Sequence, residues 1–329
     1  MKISFSRFSK KFLLRRFVQS IILIILLIVI NFFLIHLAPG DPVTYLAGQS
    51  GNEEYYQFIR AKFGLDKPLL TQLWVYFSQI LQGDFGYSLS YQQPVSSVIF
   101  SRVPATLLLT LSSMIIATFS GVVLGVEAAR RENSLFDRIA NIFALLGNSF
   151  PSFSIGQILL LIFALYLGLF PAQGMISVEK ELSGLAYLFD LAKHLALPVA
   201  TLVIIQIAQI MRLMRTEMLD VLGENFITTA RAKGVSETKV LYSHALRNAL
   251  LPIVTILGSS LGMILSGAVL VETVFGYPGL GRLMIQVITA RDYPVLMGLF
   301  LLISISVVVV NFFTDLTYTF LDPRIKYTK

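Results

Sequence analysis

Cysteine is absent from all 329 residues, which excludes disulfides and thiolate-held metals. Histidine is nearly so: His36, His194 and His244 are too scattered to offer a metal-binding spacing. Charge is also sparse, with Asp, Glu, Lys and Arg making up 14% of the chain, against roughly a quarter in an ordinary soluble domain. No Gly-x-x-x-x-Gly-Lys-Ser/Thr loop or other phosphate-cradling glycine run is present, so this chain is not itself an ATPase. The long apolar runs hold no central acid or base, and the sequence shows no internal repeat; an ion-coupled secondary transporter would need both features. The net charge of +7 raises nucleic acid as a partner. The basic residues sit in short clusters beside apolar runs, however, which is a membrane-protein distribution, so nucleic-acid binding is set aside.

What is present is apolar sequence, at 55% hydrophobic residues and a mean hydropathy of +0.75. Phe17 to Leu37 is uncharged, and at 1.5 Å per residue it covers about 31 Å, the thickness of the hydrocarbon layer. Similar runs follow at Pro104 to Val126, Ile139 to Leu169, Leu195 to Met211, Leu250 to Val271 and Val295 to Phe313. Peptide groups in lipid must be paired within the segment, so each run is expected to be a helix. The expected fold class is therefore an all-α integral membrane protein with about six transmembrane helices. The third run is too long for one straight span, and Pro151 inside it predicts a kink, a tilt or a short lead-in helix.

Residues 1–16 carry six Lys or Arg ahead of the first run and read as a cytoplasmic N-terminus leading into a retained signal-anchor. With that end inside, 18 of the 26 basic residues fall in cytoplasmic segments, which predicts both termini in the cytoplasm. The six-helix transmembrane core then runs from 17 to 323, with a cytoplasmic tail at 324–329. Two connections exceed what joining helices requires: an outer loop over 38–103 and an inner loop over 212–249. The outer loop has helical patterns at Glu53 to Phe63 and Thr71 to Leu81, then a turn signal at Gly83-Asp84-Phe85-Gly86.

In the inner loop, Glu224 to Lys233 reads as a short helix stopped by Gly234, with Ser236 and Glu237 as cap and first turn of the next helix. Phe226, Ile227 and Ala230 share one stripe, with Arg231 and Lys233 off it. That ridge fits either a groove in a partner protein or the lipid interface.

The stretch Glu224-Asn-Phe-Ile-Thr-Thr-Ala-Arg-Ala-Lys-Gly234, followed by His244-Ala-Leu-Arg-Asn-Ala-Leu-Leu-Pro252, resembles the cytoplasmic coupling motif of binding-protein-dependent ABC importer permeases. The dipeptide/oligopeptide branch, which also includes nickel and glutathione systems, is the one it resembles, as a first permease subunit. His36-Leu-Ala-Pro-Gly-Asp-Pro42, Phe63-Gly-Leu-Asp66, Gly83-Asp-Phe-Gly-Tyr-Ser88, Arg102-Val-Pro-Ala-Thr106, Leu270 to Gly281, Arg291-Asp-Tyr-Pro294 and Asp322-Pro-Arg324 extend the resemblance along most of the chain. Thr228-Thr229-Ala230 stands where Glu-Ala-Ala is usual among ABC importer permeases at large.

The resemblance implies a type I permease fold in a prokaryotic inner membrane, with no cofactor or catalysis in this chain. ATP and Mg would be bound by two partner ATPase subunits. A second homologous permease, an extracytoplasmic substrate-binding protein and the bilayer complete the implied partners. The solute would be a peptide, with nickel chelates or glutathione as alternatives. The implied ATPase-coupling residues are Glu224, Phe226, Ile227, Thr229, Ala230, Arg231, Ala232 and Gly234.

Gly121-x-x-x-Gly125 and Gly258-x-x-x-Gly262 are spaced for close helix packing. Gly258-Ser-Ser-Leu-Gly262 also matches a hydrolase elbow, but it lies in an apolar helix with no histidine placed for Ser260. Asn141, Asn148, Gln206, Gln209 and Asn311 are expected to face the protein interior, since polar groups are costly in lipid. Asn148 and Pro151 are candidates for the path. Glu272, closing the fifth run, and the flexible Gly276 and Gly279 are candidates for an outer gate. A structural membrane subunit without a conduit is a further alternative; it would not stimulate ATP hydrolysis or flux.

Overall fold

The long uncharged runs form helices, as the need to pair every peptide group in lipid requires. A computed structural model describes residues 10–37, 43, 52–63, 65–88, 90–177, 182–262, 264–266 and 268–321. Residues 38–42 of the first motif, Gly64 of the second, and Asp322-Pro-Arg324 with the tail lie outside the described residues. The chain divides into two compact units, Met1–Thr106 with Leu261–Val269 and Gly279–Lys329, and Leu107–Ser260 with Leu270–Pro278.

The first unit opens with α1 (Lys10–Leu37) and continues through α2 (Glu53–Phe63), α3 (Leu69–Leu81), a hairpin of β1 (Tyr87–Ser88) and β2 (Gln93–Pro94), and α4 (Val95–Phe100). It closes with α13 (Leu280–Ala290) and α14 (Tyr293–Leu321). Ile28 and Phe32 of α1 and Tyr76 of α3 pack with Leu301 of α14. Val95, Val98 and Ile99 of α4 pack with Leu280, Leu283 and Val287 of α13 and Val295 and Leu299 of α14. Two buried polar ties fix this arrangement. Ser88 Oγ donates to Asp292 Oδ2 at 2.5 Å, and the Leu280 amide donates to Thr106 Oγ1 at 2.7 Å.

The second unit holds most of α5 (Val103–Arg130), then α6 (Leu135–Ser149), α7 (Ser152–Leu159), α8 (Gly184–Leu222), α9 (Asn225–Ala232), α10 (Glu237–Lys239), α11 (Leu246–Gly262) and α12 (Val269–Val274). α7 continues as a π-wound turn over Leu160–Tyr166, and a second π segment, Val240–Ala245, joins α10 to α11.

Among the described residues, five helices are long and apolar enough to cross a membrane: Leu14–Leu34, Val95–Arg130, Gly184–Leu222, Glu237–Leu261 and Tyr293–Thr314. Leu135–Gly147 with Ser152–Tyr166, bent by 104°, supplies a sixth if counted as one broken span. The break has a local cause. Phe150 precedes proline and takes extended φ −90° and ψ 135°, as the proline ring requires of its predecessor.

Three expectations need correcting. The run Leu250 to Val271 is not one helix: α11 ends at Gly262, a 3₁₀ turn occupies Ile264–Ser266, and α12 follows. Helix also occupies the first part of the expected inner loop, because α8 continues to Leu222, while the helix beginning at Glu237 starts where the sequence placed it. Finally, Gln209 and Asn311 are exposed on this chain and Gln206 is half-buried, so they do not point into its own core.

Candidate functional site

Between α8 and α10 the helical chain breaks twice within a few residues. Gly223 caps the C-terminus of α8, and Glu224 takes extended φ −74° and ψ 148° before α9 begins at Asn225. The Glu224 side chain makes no capping hydrogen bond; its charge nonetheless lies at the positive end of the helix dipole. Termination of α9 is a Schellman motif. The Val235 amide reaches Ala230 O at 3.2 Å and the Gly234 amide reaches Arg231 O at 2.9 Å. This closure places Gly234 at φ +76°, a conformation in which a Cβ costs about 1–2 kcal/mol. Ser236 has the extended conformation of a cap, φ −60° and ψ 143°, but its hydroxyl does not fill the expected capping role.

The stripe on α9 divides once it is folded. Ile227 is fully buried, alongside buried Val240, Leu241 and Ala245; α9 packs against that π segment. Ile227 therefore anchors the helix from within and presents no surface to a partner. Ala230 is half-buried, whereas Glu224, Phe226, Thr229, Arg231, Ala232 and Gly234 are exposed. Phe226 retains 43% of its surface. Thr229 Oγ1 donates back to Asn225 O at 2.9 Å. Arg231 Nε and Nη2 donate to the two Glu237 carboxylate oxygens at 2.8 and 3.3 Å. That pair is solvent-exposed, so it contributes only about 0.2–1 kcal/mol and serves to hold α9 against α10.

Behind this surface stands a polar clamp that sequence reasoning missed. Arg215, two turns before the end of α8, donates through Nε to Asp137 Oδ1 at 2.5 Å and through Nη2 to Asp137 Oδ2 at 2.7 Å. Asp137 is 2% exposed, and it also accepts from Asn141 Nδ2 at 2.8 Å and the Asn133 amide at 3.0 Å. Ser134 Oγ receives the Asp137 amide at 3.3 Å and so caps the start of α6. The Ser-x-x-Asp spacing was a usable sequence signal for that cap; a partner 78 positions away was not. Asn141, half-buried, is thus paired on its own helix.

Around the clamp the helices meet through small residues. Ala128 of α5, Ala140 and Ala144 of α6, and Ala208 and Met211 of α8 form one buried cluster. A Cβ at Gly125 would lie 2.6 Å from Met214 Cβ and 2.7 Å from Met211 O. At Gly121 it would lie 2.9 Å from Ile210 Cβ, so this Gly-x-x-x-Gly pair is a packing device.

The candidate path and gate residues are distributed along the chain. Pro151 is the N-cap of α7. Asn148 lies near the end of α6, and its side chain falls outside the described residues. Glu272 is fully buried within α12 rather than closing a long span, and its carbonyl accepts the Tyr277 amide at 2.8 Å. Gly276 adopts φ +56°, in the left-handed region that favours glycine. Gly279 is extended, φ −100° and ψ −178°, and caps α13 in a conformation open to any residue. Burial, with help from the nearby Glu272 carboxylate, pushes the Tyr277 phenol above its ordinary range. The Gly174 amide donates to Phe275 O at 3.0 Å, tying the 167–177 loop to this turn.

Comparison with known proteins gives a consistent result. Residues 121–327 match the binding-protein-dependent transport system inner membrane component family. Residues 9–110 match the N-terminal region of the same class of membrane component. The chain is 39% identical over 316 residues to a glutathione transport system permease protein of Salmonella choleraesuis, covering 96% of this chain and 99% of the relative. The glutathione transport system permease protein of Escherichia coli K12 is 38% identical with the same coverage. A protein of Brucella suis biovar 1, provisionally described as a peptide permease, is 40% identical over 321 residues, covering 97% of this chain and 99% of that one.

Proposed function

The chain belongs to the family of binding-protein-dependent transport system inner membrane components, and on that premise we propose that it forms half of the translocation path of an ABC importer for short peptides, glutathione included. It is a multi-pass permease of the inner membrane, a non-catalytic class of component. The observation that carries the solute class is the similarity to glutathione and peptide permeases along 96% or more of the chain. Nickel, the other solute of this branch, is named by none of these three relatives.

In this reading both termini are cytoplasmic, and the segment from Glu224 to Gly234 meets an ATPase subunit. Two such subunits bind and hydrolyse ATP with Mg, while a second, related permease completes the path. Phe226, Ala232 and the backbone at Gly234 form the contact, Ile227 ties α9 to the membrane-embedded helices, and Thr229, Arg231 and Glu224 line the rim. The outward exposure of Gln209 and Asn311 supports a protein neighbour on those faces, since lipid would leave their amides unpaired. Asn148, Pro151, Glu272, Gly276 and Gly279 remain candidates for path and gate. An extracytoplasmic binding protein delivers the solute to the outer loops.

The test is uptake into proteoliposomes holding both permeases and the ATPases. Labelled glutathione or a short peptide should accumulate only with ATP and binding protein together. Uptake driven by a proton gradient without ATP would replace this reading with the ion-coupled one.

A further inference from the structure

α3 is an amphipathic helix without charge. From Leu69 to Leu81 it holds no Asp, Glu, Lys or Arg, yet its two faces differ sharply. Gln72 and Tyr76 are buried, while Leu70, Trp74 and Leu81 retain 82%, 69% and 69% of their surface. At about 100° per residue, Trp74 lies nearly opposite Gln72 and Tyr76 around the helix. Its ring stacks on Phe77 with centroids 6.1 Å apart, so exposed Leu70, Trp74 and Leu81 form one apolar stripe backed by Phe77, which is half-buried against the core.

The buried face fixes the depth at which α3 sits. Tyr76 Oη accepts a 2.9 Å hydrogen bond from Asn31 Nδ2, and Gln72 Oε1 lies 2.8 Å from His36 Nε2. The Gln72 amide is held in that orientation because its Nε2 donates to Lys67 O at 2.8 Å and Leu65 O at 3.3 Å. The uncharged apolar run of α1 extends to Leu37. Asn31 therefore lies ~9 Å inside the end of that run, and His36 ~1.5 Å inside it. α3 is strapped across α1 where hydrocarbon gives way to headgroups, the depth at which interfacial helices bury their apolar faces. The neighbouring face of α1 is itself exposed and apolar through Ile30, Phe33 and Leu34, so the stripe continues an exposed apolar surface.

We propose that α3 is a membrane-interface helix whose Leu70, Trp74 and Leu81 stripe, backed by Phe77, rests in the outer end of the bilayer, with Trp74 as its interfacial anchor. The occupant is lipid because a docking site for a soluble protein would leave a charge-free aromatic stripe in water between encounters. A tryptophan at the headgroup level, by contrast, satisfies ring and indole N–H together. The outer loop is thereby stapled to the membrane surface at one helix, and the hairpin that follows starts from a fixed height.

The absence of cysteine makes this directly testable by site-directed spin labelling. Single cysteines at Leu70, Trp74 and Leu81, and one at the exposed turn residue Asp66, are labelled in the full complex with cysteine-free partners in lipid. Oxygen should relax the labels at 70, 74 and 81 several-fold more effectively than a water-soluble nickel chelate, with the reverse order at 66. Three stripe positions keep the result readable if one variant fails to assemble. Chelate dominance on the stripe would place it in water, and weak relaxation by both reagents would place it under protein; either result overturns the proposal.

Discussion

Asp137 and Arg215 each lose more than a partner if the other is neutralised, because the carboxylate is 2% exposed and the guanidinium side chain is 21% exposed. Asp137→Asn leaves a positive charge largely out of water, at a cost of about 3 kcal/mol. The variant should show a lower Tm in detergent, and the exchange Asp137→Arg with Arg215→Asp should recover part of the loss. Additive losses in the double variant would mean that the pair is incidental. Gly234 presents the complementary case. A Cβ there meets nothing within 4 Å, so the cost of substitution lies in the backbone alone. Stimulated ATP hydrolysis by the assembled complex should fall in the order Gly234, Gly234→Asn, Gly234→Ala, since asparagine tolerates the left-handed region better than alanine. Equal activities would show that the Schellman closure is dispensable. At this scale the turn was legible, because glycine after a short amphipathic pattern carries its own conformational signal. The inward turn of Ile227 was not. A stripe of Phe226, Ile227 and Ala230 gives no indication of which members meet the chain's own π segment and which meet a partner.

Elements repeat the same division between local signal and distant partner. α2 and α3 fall where hydrophobic periodicity put them, Glu53–Phe63 and Leu69–Leu81 against expected starts at Glu53 and Thr71, and the break at Pro151 follows from proline stereochemistry. The fifth run misled because its residues stay apolar from Leu250 to Val271 while the backbone changes from α-helix to a 3₁₀ turn and back. Hydropathy reports the solvent of a segment and says nothing of its winding. The reach of α8 to Leu222 was hidden in the same way, since its polar final turns read as loop. Between elements, the approach of α5 to α8 depends on Gly125, where a Cβ would lie 2.6 Å from Met214 Cβ. Gly125→Leu should therefore destabilise the protein by about 1–3 kcal/mol through overpacking. It should also reduce co-purification of the full complex, a result that an unchanged Tm would contradict.

For the whole molecule, several short motifs in a fixed order along most of the chain carried the family reading, and the match to permeases over 96% of its length agrees with it. How α9 is seated was a matter for the folded chain: it packs on the π segment through Ile227, and the stem of α8 that precedes it is locked to α6 by Asp137 and Arg215. A push on the exposed face of α9 would then reach α8 and α6 together, because the two helices share a buried ion pair and a cluster of alanines too small to permit sliding. The most direct test of that transmission is the ATP hydrolysis of the complex in lipid, with and without binding protein and peptide, for the native chain against Gly234→Pro and Phe226→Asp. Both variants should assemble, retain basal hydrolysis and lose most of the stimulation by binding protein and peptide; stimulation at the native level in both would show that α9 is not the element through which this permease and its ATPase communicate.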